Sequence, residues 1–315
     1  MANEHIPGDD NYQDALHYYH KGELARAETL CTSIIEANPD NSRAWHLLGM
    51  IALVENNNSA AVEFFNKSTH LQPDIPFYYT TLAEALRRIG QYERAETQLQ
   101  KALALKADFP EAINTLGSIY LKQERLDEAE ACFNRCLEMR PDFAASFLNL
   151  GAVRQSRGQW HESIALLNKA LQLEPDNLSA LFYLGCAMQQ LGKLDEAINY
   201  FQRAVNIQPD FPECYLNIAV ALFETRDLTG ALSNYQRAVA IRPDFPEALN
   251  GMGYVYADLG DLEKAKASYN KALNLRPEFY EAWNNLGNVF NSQGRLREAI
   301  SHYQRAAAIR PDYQI

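Results

Sequence analysis

The sequence predicts an all-α protein, a right-handed superhelical α-solenoid of nine 34-residue helix-turn-helix repeats, on three observations. A closing phrase recurs every 34 residues without insertion: Pro39, Pro73, Pro141, Pro175, Pro209, Pro243, Pro277 and Pro311 share one slot, and Ala107 holds the remaining one. Each period contains two stretches whose apolar residues fall at helical spacing. Between these stretches most periods place a glycine, as at Gly90, Gly158, Gly192, Gly260 and Gly294, free to take the left-handed conformation that ends a helix. A unit this short cannot bury its own apolar face, so it must stack on its neighbours.

The phase divides the chain into repeats 8–41, 42–75, 76–109, 110–143, 144–177, 178–211, 212–245, 246–279 and 280–313. Residues 1–7 are left as a flexible N-terminus and 314–315 as a tail. The first helix of a repeat shows its stripe in Trp45, Leu48, Gly49 and Ala52, and the second in Ala265, Tyr269, Ala272 and Leu273. Small residues at the eighth position (Gly151, Gly185, Gly253, Gly287) and the twentieth (Ala95, Ala129, Ala197, Ala231) let the two helices approach closely. Large residues at positions four, seven and twenty-four fill the remaining space, so leucine at Gly151 is expected to overpack the crossing. The phrase Pro-Asp-Phe-Pro-Glu at 209–213 and 243–247 reads as a helix stop followed by a capping box, Asp210 with Glu213 and Asp244 with Glu247. Asp108 and Glu111 keep the same spacing. Capping is therefore the expectation for this row of glutamates, ahead of a surface for basic ligands.

The last repeat reads Trp283, Leu286, Gly287, Phe290, Ala299, Tyr303, Ala306 and Pro311, and the sixth reads Leu181, Leu184, Gly185, Met188, Ala197, Phe201, Ala204 and Pro209. These resemble the tetratricopeptide repeat, W-x2-L-G-x2-Y, A-x3-F and P within 34 residues. The resemblance covers nearly the whole chain. It implies an array whose first helices line a concave wall that holds an extended peptide or a partner protein.

Composition narrows the function classes. A formal charge of −11 without a basic cluster argues against nucleic acid or an anionic membrane as partner. No apolar run reaches membrane-spanning length and Met1–Asn11 carries neither an h-region nor a lipidation pattern, so a cytoplasmic protein is expected. Five cysteines, Cys31, Cys132, Cys136, Cys186 and Cys214, sit at unrelated repeat positions and form no disulfide framework. Cys132 and Cys136 lie one turn apart, yet Cys136 occupies a small packing slot; His17 and His20 lack a third ligand at metal spacing. No metal, cofactor or catalytic constellation is expected, and the protein is read as a non-enzyme.

Helix periodicity assigns positions two, five, six, nine and twelve of each repeat to the groove. Repeats two and three offer a mixed polar wall there: Arg43, His46, Thr80, Thr81, Glu84 and Arg87. Repeats five to seven offer Leu148, Ala152, Phe182, Cys186, Leu216, Val220 and Phe223, either a docking patch or residues buried by tight curvature. Phe182 and Phe223 are the preferred aromatic anchors. Asn149, Asn217 and Asn285 share position six, and Asn284, Asn288 and Asn291 crowd the last repeat; amides both donate and accept, which suits gripping a peptide backbone. Here the chain resembles the tetratricopeptide arm of O-linked N-acetylglucosamine transferases, where an asparagine ladder holds substrate polypeptide. Leu47, Thr81, Thr115, Tyr183 and Gly251 interrupt that ladder. A carboxylate clamp is rejected, because Glu111, Glu213, Glu247 and Glu281 stand at position two.

The expected groove residues are thus Leu148, Asn149, Phe182, Leu216, Asn217, Val220, Phe223, Asn284, Asn285 and Asn288. The leading functional expectation is a protein-interaction scaffold. Its alternative is the substrate arm of a larger protein O-glycosyltransferase. A second alternative is a homo-oligomer formed through the last repeat, where no polar helix covers Ala299, Ile300, Tyr303 and Ala307.

Overall fold

The computed structural model describes residues 9–311; the expected N-terminal segment 1–7 and the tail 314–315 lie outside them. Among the described residues there are eighteen α-helices and no strand. The first helices of the hairpins are α1 (Asp9–His20), α3 (Ser42–Val54), α5 (Pro76–Arg88), α7 (Pro110–Lys122), α9 (Ala144–Ser156), α11 (Leu178–Gln190), α13 (Pro212–Glu224), α15 (Pro246–Asp258) and α17 (Tyr280–Ser292). Their partners are α2 (Leu24–Ala37), α4 (Asn58–Leu71), α6 (Tyr92–Leu105), α8 (Leu126–Met139), α10 (Trp160–Leu173), α12 (Leu194–Ile207), α14 (Leu228–Ile241), α16 (Leu262–Leu275) and α18 (Leu296–Ile309). The protein is an all-α solenoid. The chain groups into two compact bodies, residues 1–153 and 154–315, and each is described by itself.

The turn inside each hairpin depends on one left-handed residue. Gly22, Gly90, Gly158, Gly192, Gly260 and Gly294 take φ between 72° and 80°, while Asn56, Glu124 and Arg226 hold the same slot at φ 60°, 60° and 67°. A non-glycine residue there is strained by its Cβ against the following carbonyl. Glu124→Gly is therefore expected to raise stability by about 1 kcal/mol. A urea midpoint that stays put or falls would contradict this.

Position eight is where the helices of a hairpin touch. A Cβ on Gly49 would stand 2.4 Å from the Phe65 ring, on Gly117 2.6 Å from Phe133, on Gly185 2.5 Å from Phe201, on Gly253 2.5 Å from Tyr269 and on Gly287 2.4 Å from Tyr303. In these five hairpins glycine at eight pairs with an aromatic ring at twenty-four, whereas Gly151 has Leu167 there. Where position eight is Ala83, position twenty-four is Leu99, and where it is Ala15, the partner slot holds Cys31. Ala219 breaks the rule, because Tyr235 stands at its position twenty-four. The Tyr235 ring instead lies over Gly251 of the next first helix, where a Cβ would come within 2.4 Å of it.

The closing phrase does not cap as its spacing suggests. The helices begin at Pro110, Pro212 and Pro246, so Phe109, Phe211 and Phe245 hold the N-cap and make no side-chain cap bond. Asp108, Asp210 and Asp244 are one residue too early. Proline at the first helical position removes one of the unpaired amides and presets φ for the helix. The glutamates bond to arginines twenty-nine residues on: Glu111 to Arg140 at 2.8 Å, Glu247 to Arg276 at 2.5 Å, and Glu213 to Arg242. Each arginine also covers the aromatic residue of its own closing phrase, Arg140 over Phe143 at 3.7 Å, Arg242 over Phe245 at 4.3 Å and Arg276 over Phe279 at 4.9 Å. True caps occur where the phrase ends in asparagine, with Ala44 N–H donating to Asn41 and Ala180 N–H to Asn177.

Within each body the first helices touch one another, α1 to α3 to α5 to α7 and α11 to α13 to α15 to α17, while the second helices touch only first helices. Stacks that pack more closely on one side bend toward it. The first helices therefore form the inner wall of each body.

Candidate functional site: the inner wall

Polar side chains at positions five and six bridge adjacent first helices at a sequence spacing of thirty-five. His46 Nε2 meets Thr81 Oγ1 at 3.0 Å, Asn149 Nδ2 donates to Asn114 Oδ1 at 3.1 Å, and Asn285 Nδ2 donates to Asn250 Oδ1 at 3.1 Å. Asn149 also donates to Ser118 Oγ at 3.2 Å, and Ser146 Oγ donates to the same Asn114 oxygen at 3.2 Å. These amides hold neighbouring repeats together. Asn217 turns back on its own helix, donating to Glu213 O at 2.9 Å. The ladder expected to grip a ligand is thus largely spent on the protein itself, and Asn285 is only 8% exposed.

The wall of the N-terminal body is likewise self-satisfied. His46 is buried, stacked on Tyr78 at 4.5 Å and flanked by Phe65 and Phe77. Burial depresses its pKa to about 4. Arg87 makes a two-pronged bond to Glu84 at 2.7 Å, and Arg88 joins the same carboxylate at 2.9 Å. Leu148 is half-buried on α9.

In the C-terminal body the bridge fails between α13 and α15, because the two slots that would carry it hold Leu216 and Gly251. A pocket of about 520 Å³ opens there, lined by Leu216, Val220, Phe223, Tyr235, Asn250, Gly251 and Tyr254, with Glu247, Arg276, Phe279 and Glu281 at one end. Tyr254 is 47% exposed and makes a T-shaped contact with Phe223, ring centres 5.2 Å apart at 88°. A smaller hollow of about 260 Å³ continues past Tyr254 to Asn285, Asn288 and Val289. Asn288 Oδ1 accepts from the Tyr303 hydroxyl at 2.8 Å, and Asn284 Oδ1 is buried with no partner. A wider hollow beside Trp45, Phe64 and His70 involves the second helix α4.

Family models for this architecture match along the chain. Residues 29–146 match the TPR domain of cytochrome c-type biogenesis protein H, residues 142–210 and 250–313 match tetratricopeptide repeat models, and residues 221–260 match a TPR repeat model. The chain belongs to the tetratricopeptide repeat family. No curated protein matches it significantly. Among solved structures, this tetratricopeptide chain is similar in fold to a chain of the APC/C hetero-tetramer Cut9–Hcn1, with TM-score 0.72 and 19% identity over 93% of this chain and 57% of that one. MamA is 25% identical over 51% of this chain and 94% of its own, with TM-score 0.47. YrrB, described as a TPR protein with an unusual peptide-binding site, is 22% identical over 57% and 93%, also at 0.47. Among the described residues no helix is long and apolar enough to cross a membrane.

Against the tetratricopeptide scheme, the sequence-derived residues separate. Leu216, Val220 and Phe223 meet in one pocket, and Asn285 and Asn288 line the adjoining hollow. Phe182 does not join them. Half-buried, it stacks on Phe211 at 5.4 Å and tilts against Phe201 at 5.8 Å, so it is a packing residue. Position-based reasoning had the means to add Tyr254 and Asn250, at positions nine and five of the eighth repeat. Tyr235 carried no such signal, because its packing slot normally faces the hairpin interior.

Proposed function

We propose that this tetratricopeptide protein is an interaction scaffold that holds an extended peptide or partner segment along the inner wall of its C-terminal body. The carrying observation is the pocket that replaces the polar bridge at Leu216 and Gly251. It offers an apolar floor, an exposed aromatic ring in T-shaped contact with a second ring, and one amide, Asn250. An aliphatic or aromatic side chain of the partner fills the floor, and Tyr254 supplies the rim. The residues expected to contact it are Leu216, Val220, Phe223, Tyr254 and Asn288; Asn284, whose oxygen is buried, is not among them. Asn149 and Asn285 support the wall through their bridges, so backbone gripping by an asparagine row is not favoured.

The test is selection of displayed random dodecapeptides on the intact protein, followed by titration against Phe223→Ala/Tyr254→Ala. Losing two aromatic anchors is expected to weaken the selected peptides at least about 30-fold, roughly 2 kcal/mol or more, with helicity unchanged. Equal affinity for the double variant would remove the pocket from consideration.

A further inference from the structure

The inner wall of the C-terminal body is charged with one sign. Helices α11, α13, α15 and α17 carry Glu213, Glu224, Glu247, Asp258 and Glu281, and no lysine, arginine or histidine. The inner wall of the N-terminal body is different, since α5 bears Arg87 and Arg88 and α7 bears Lys122. Three of the five carboxylates are answered from outside these helices: Glu213 by Arg242, Glu247 by Arg276, and Asp258 by Arg226 at 2.8 Å. Arg242 and Arg276 are each held on two sides, by a carboxylate and by a ring. They are therefore poorly placed to receive an acidic ligand. Glu224 and Glu281 have no ion pair among the described residues; Glu281 accepts from the Tyr280 hydroxyl, which Arg310 bonds at 2.6 Å, and it lines the pocket.

The aromatic rim has the same preference. The Tyr254 ring stands at the rim 47% exposed, and an exposed ring face attracts cations. Burial and the nearby Glu224 push the Tyr235 hydroxyl up to about 12, so it stays neutral and adds no negative charge of its own. The one cation of the pocket lining, Arg276, is paired with Glu247, which leaves Glu281 as the lining charge without an ion pair.

We propose that the segment held in this pocket is cationic, an extended peptide that places lysine or arginine beside the large apolar side chain filling the floor. The proposal rests on reading the same pocket as a peptide site. Apolar contact supplies the anchor, and Glu281 with the Tyr254 face selects the sign of the flanking residues.

Two fluorescein-labelled dodecapeptides test it by anisotropy against the full chain: Pro-Lys-Leu-Ser repeated three times, and the same peptide with glutamate in place of lysine. The lysine peptide is expected to bind about tenfold or more tighter, with the margin shrinking as salt is raised. Tyr254→Ala and Glu281→Lys should each reduce its binding by about tenfold, while Tyr254→Phe retains it. Glu36→Lys makes the same charge change on an exposed face of α2 and should leave affinity within about twofold. If both peptides bind equally and both depend on Tyr254, the cationic preference is overturned while the peptide site stands. If neither shows Tyr254-dependent binding, or if Glu36→Lys weakens the lysine peptide as much as Glu281→Lys, the proposal falls, and in the first case the peptide site falls with it.

Discussion

Gly253→Ala is expected to lower the unfolding free energy by about 2 kcal/mol, within the ~1–3 kcal/mol range of core overpacking. The added methyl would stand 2.5 Å from Cε1 of Tyr269, a ring 1% exposed and packed among Ala265, Ala272 and Leu286. The ring is almost wholly buried, so it has little room to give way. The same chain contains the remedy, since Ala83 at this position is matched by Leu99. Adding Tyr269→Leu to Gly253→Ala should therefore restore part of the loss, giving a favourable coupling energy in a double-mutant cycle. Urea denaturation of the four proteins measures it. Additive single effects would show that the two positions do not meet as described.

Acidification should weaken the N-terminal body through His46. The imidazole is buried as the neutral form, with a pKa of about 4 in the folded protein against an ordinary value of 6.5. The unfolded chain therefore binds the proton first. Stability is unaffected above about pH 7 and falls as pH drops from 6.5 toward 4, by about 2 kcal/mol at pH 5, since each unit of separation traversed is worth ~1.4 kcal/mol. Asparagine stands at the matching position in Asn114 and Asn250, where it completes a bridge without titrating. His46→Asn should retain the contact to Thr81 and lose this part of the acid sensitivity. The measurement is the difference in denaturation midpoint between wild type and His46→Asn at pH 7 and pH 5. A difference that does not change with pH would refute the assignment.

Much of the architecture was legible along the chain because it is written in contacts of short sequence range. The helical stripes, the left-handed slot and the small residue at position eight all concern groups within one hairpin. Phe65 against Gly49 and Tyr303 against Gly287 are sixteen residues apart, a distance the 34-residue period itself makes regular. The capping expectation failed by a single residue. Proline can occupy the first helical turn at more than one position, and only the backbone shows that Pro212 is first, which makes Phe211 the cap and frees Glu213 for Arg242.

What the sequence determined alone was the repeat, the α-helical hairpin and the set of positions that can face the wall. Only the tertiary structure decided which of those positions remain available to a ligand. Asn149 and Asn285 look alike to Asn288 in sequence, but adjacent first helices bring Asn114 and Asn250 within bonding distance of the first two. Phe182 and Phe223 are equally apolar, yet Phe182 is taken up by Phe211 while Phe223 meets the exposed Tyr254. Tyr235 enters the pocket because the next first helix has Gly251, without a side chain, where its ring lies. The physical reason is common to all three cases: side-chain type and period are local properties, whereas occupancy depends on how closely two consecutive repeats approach.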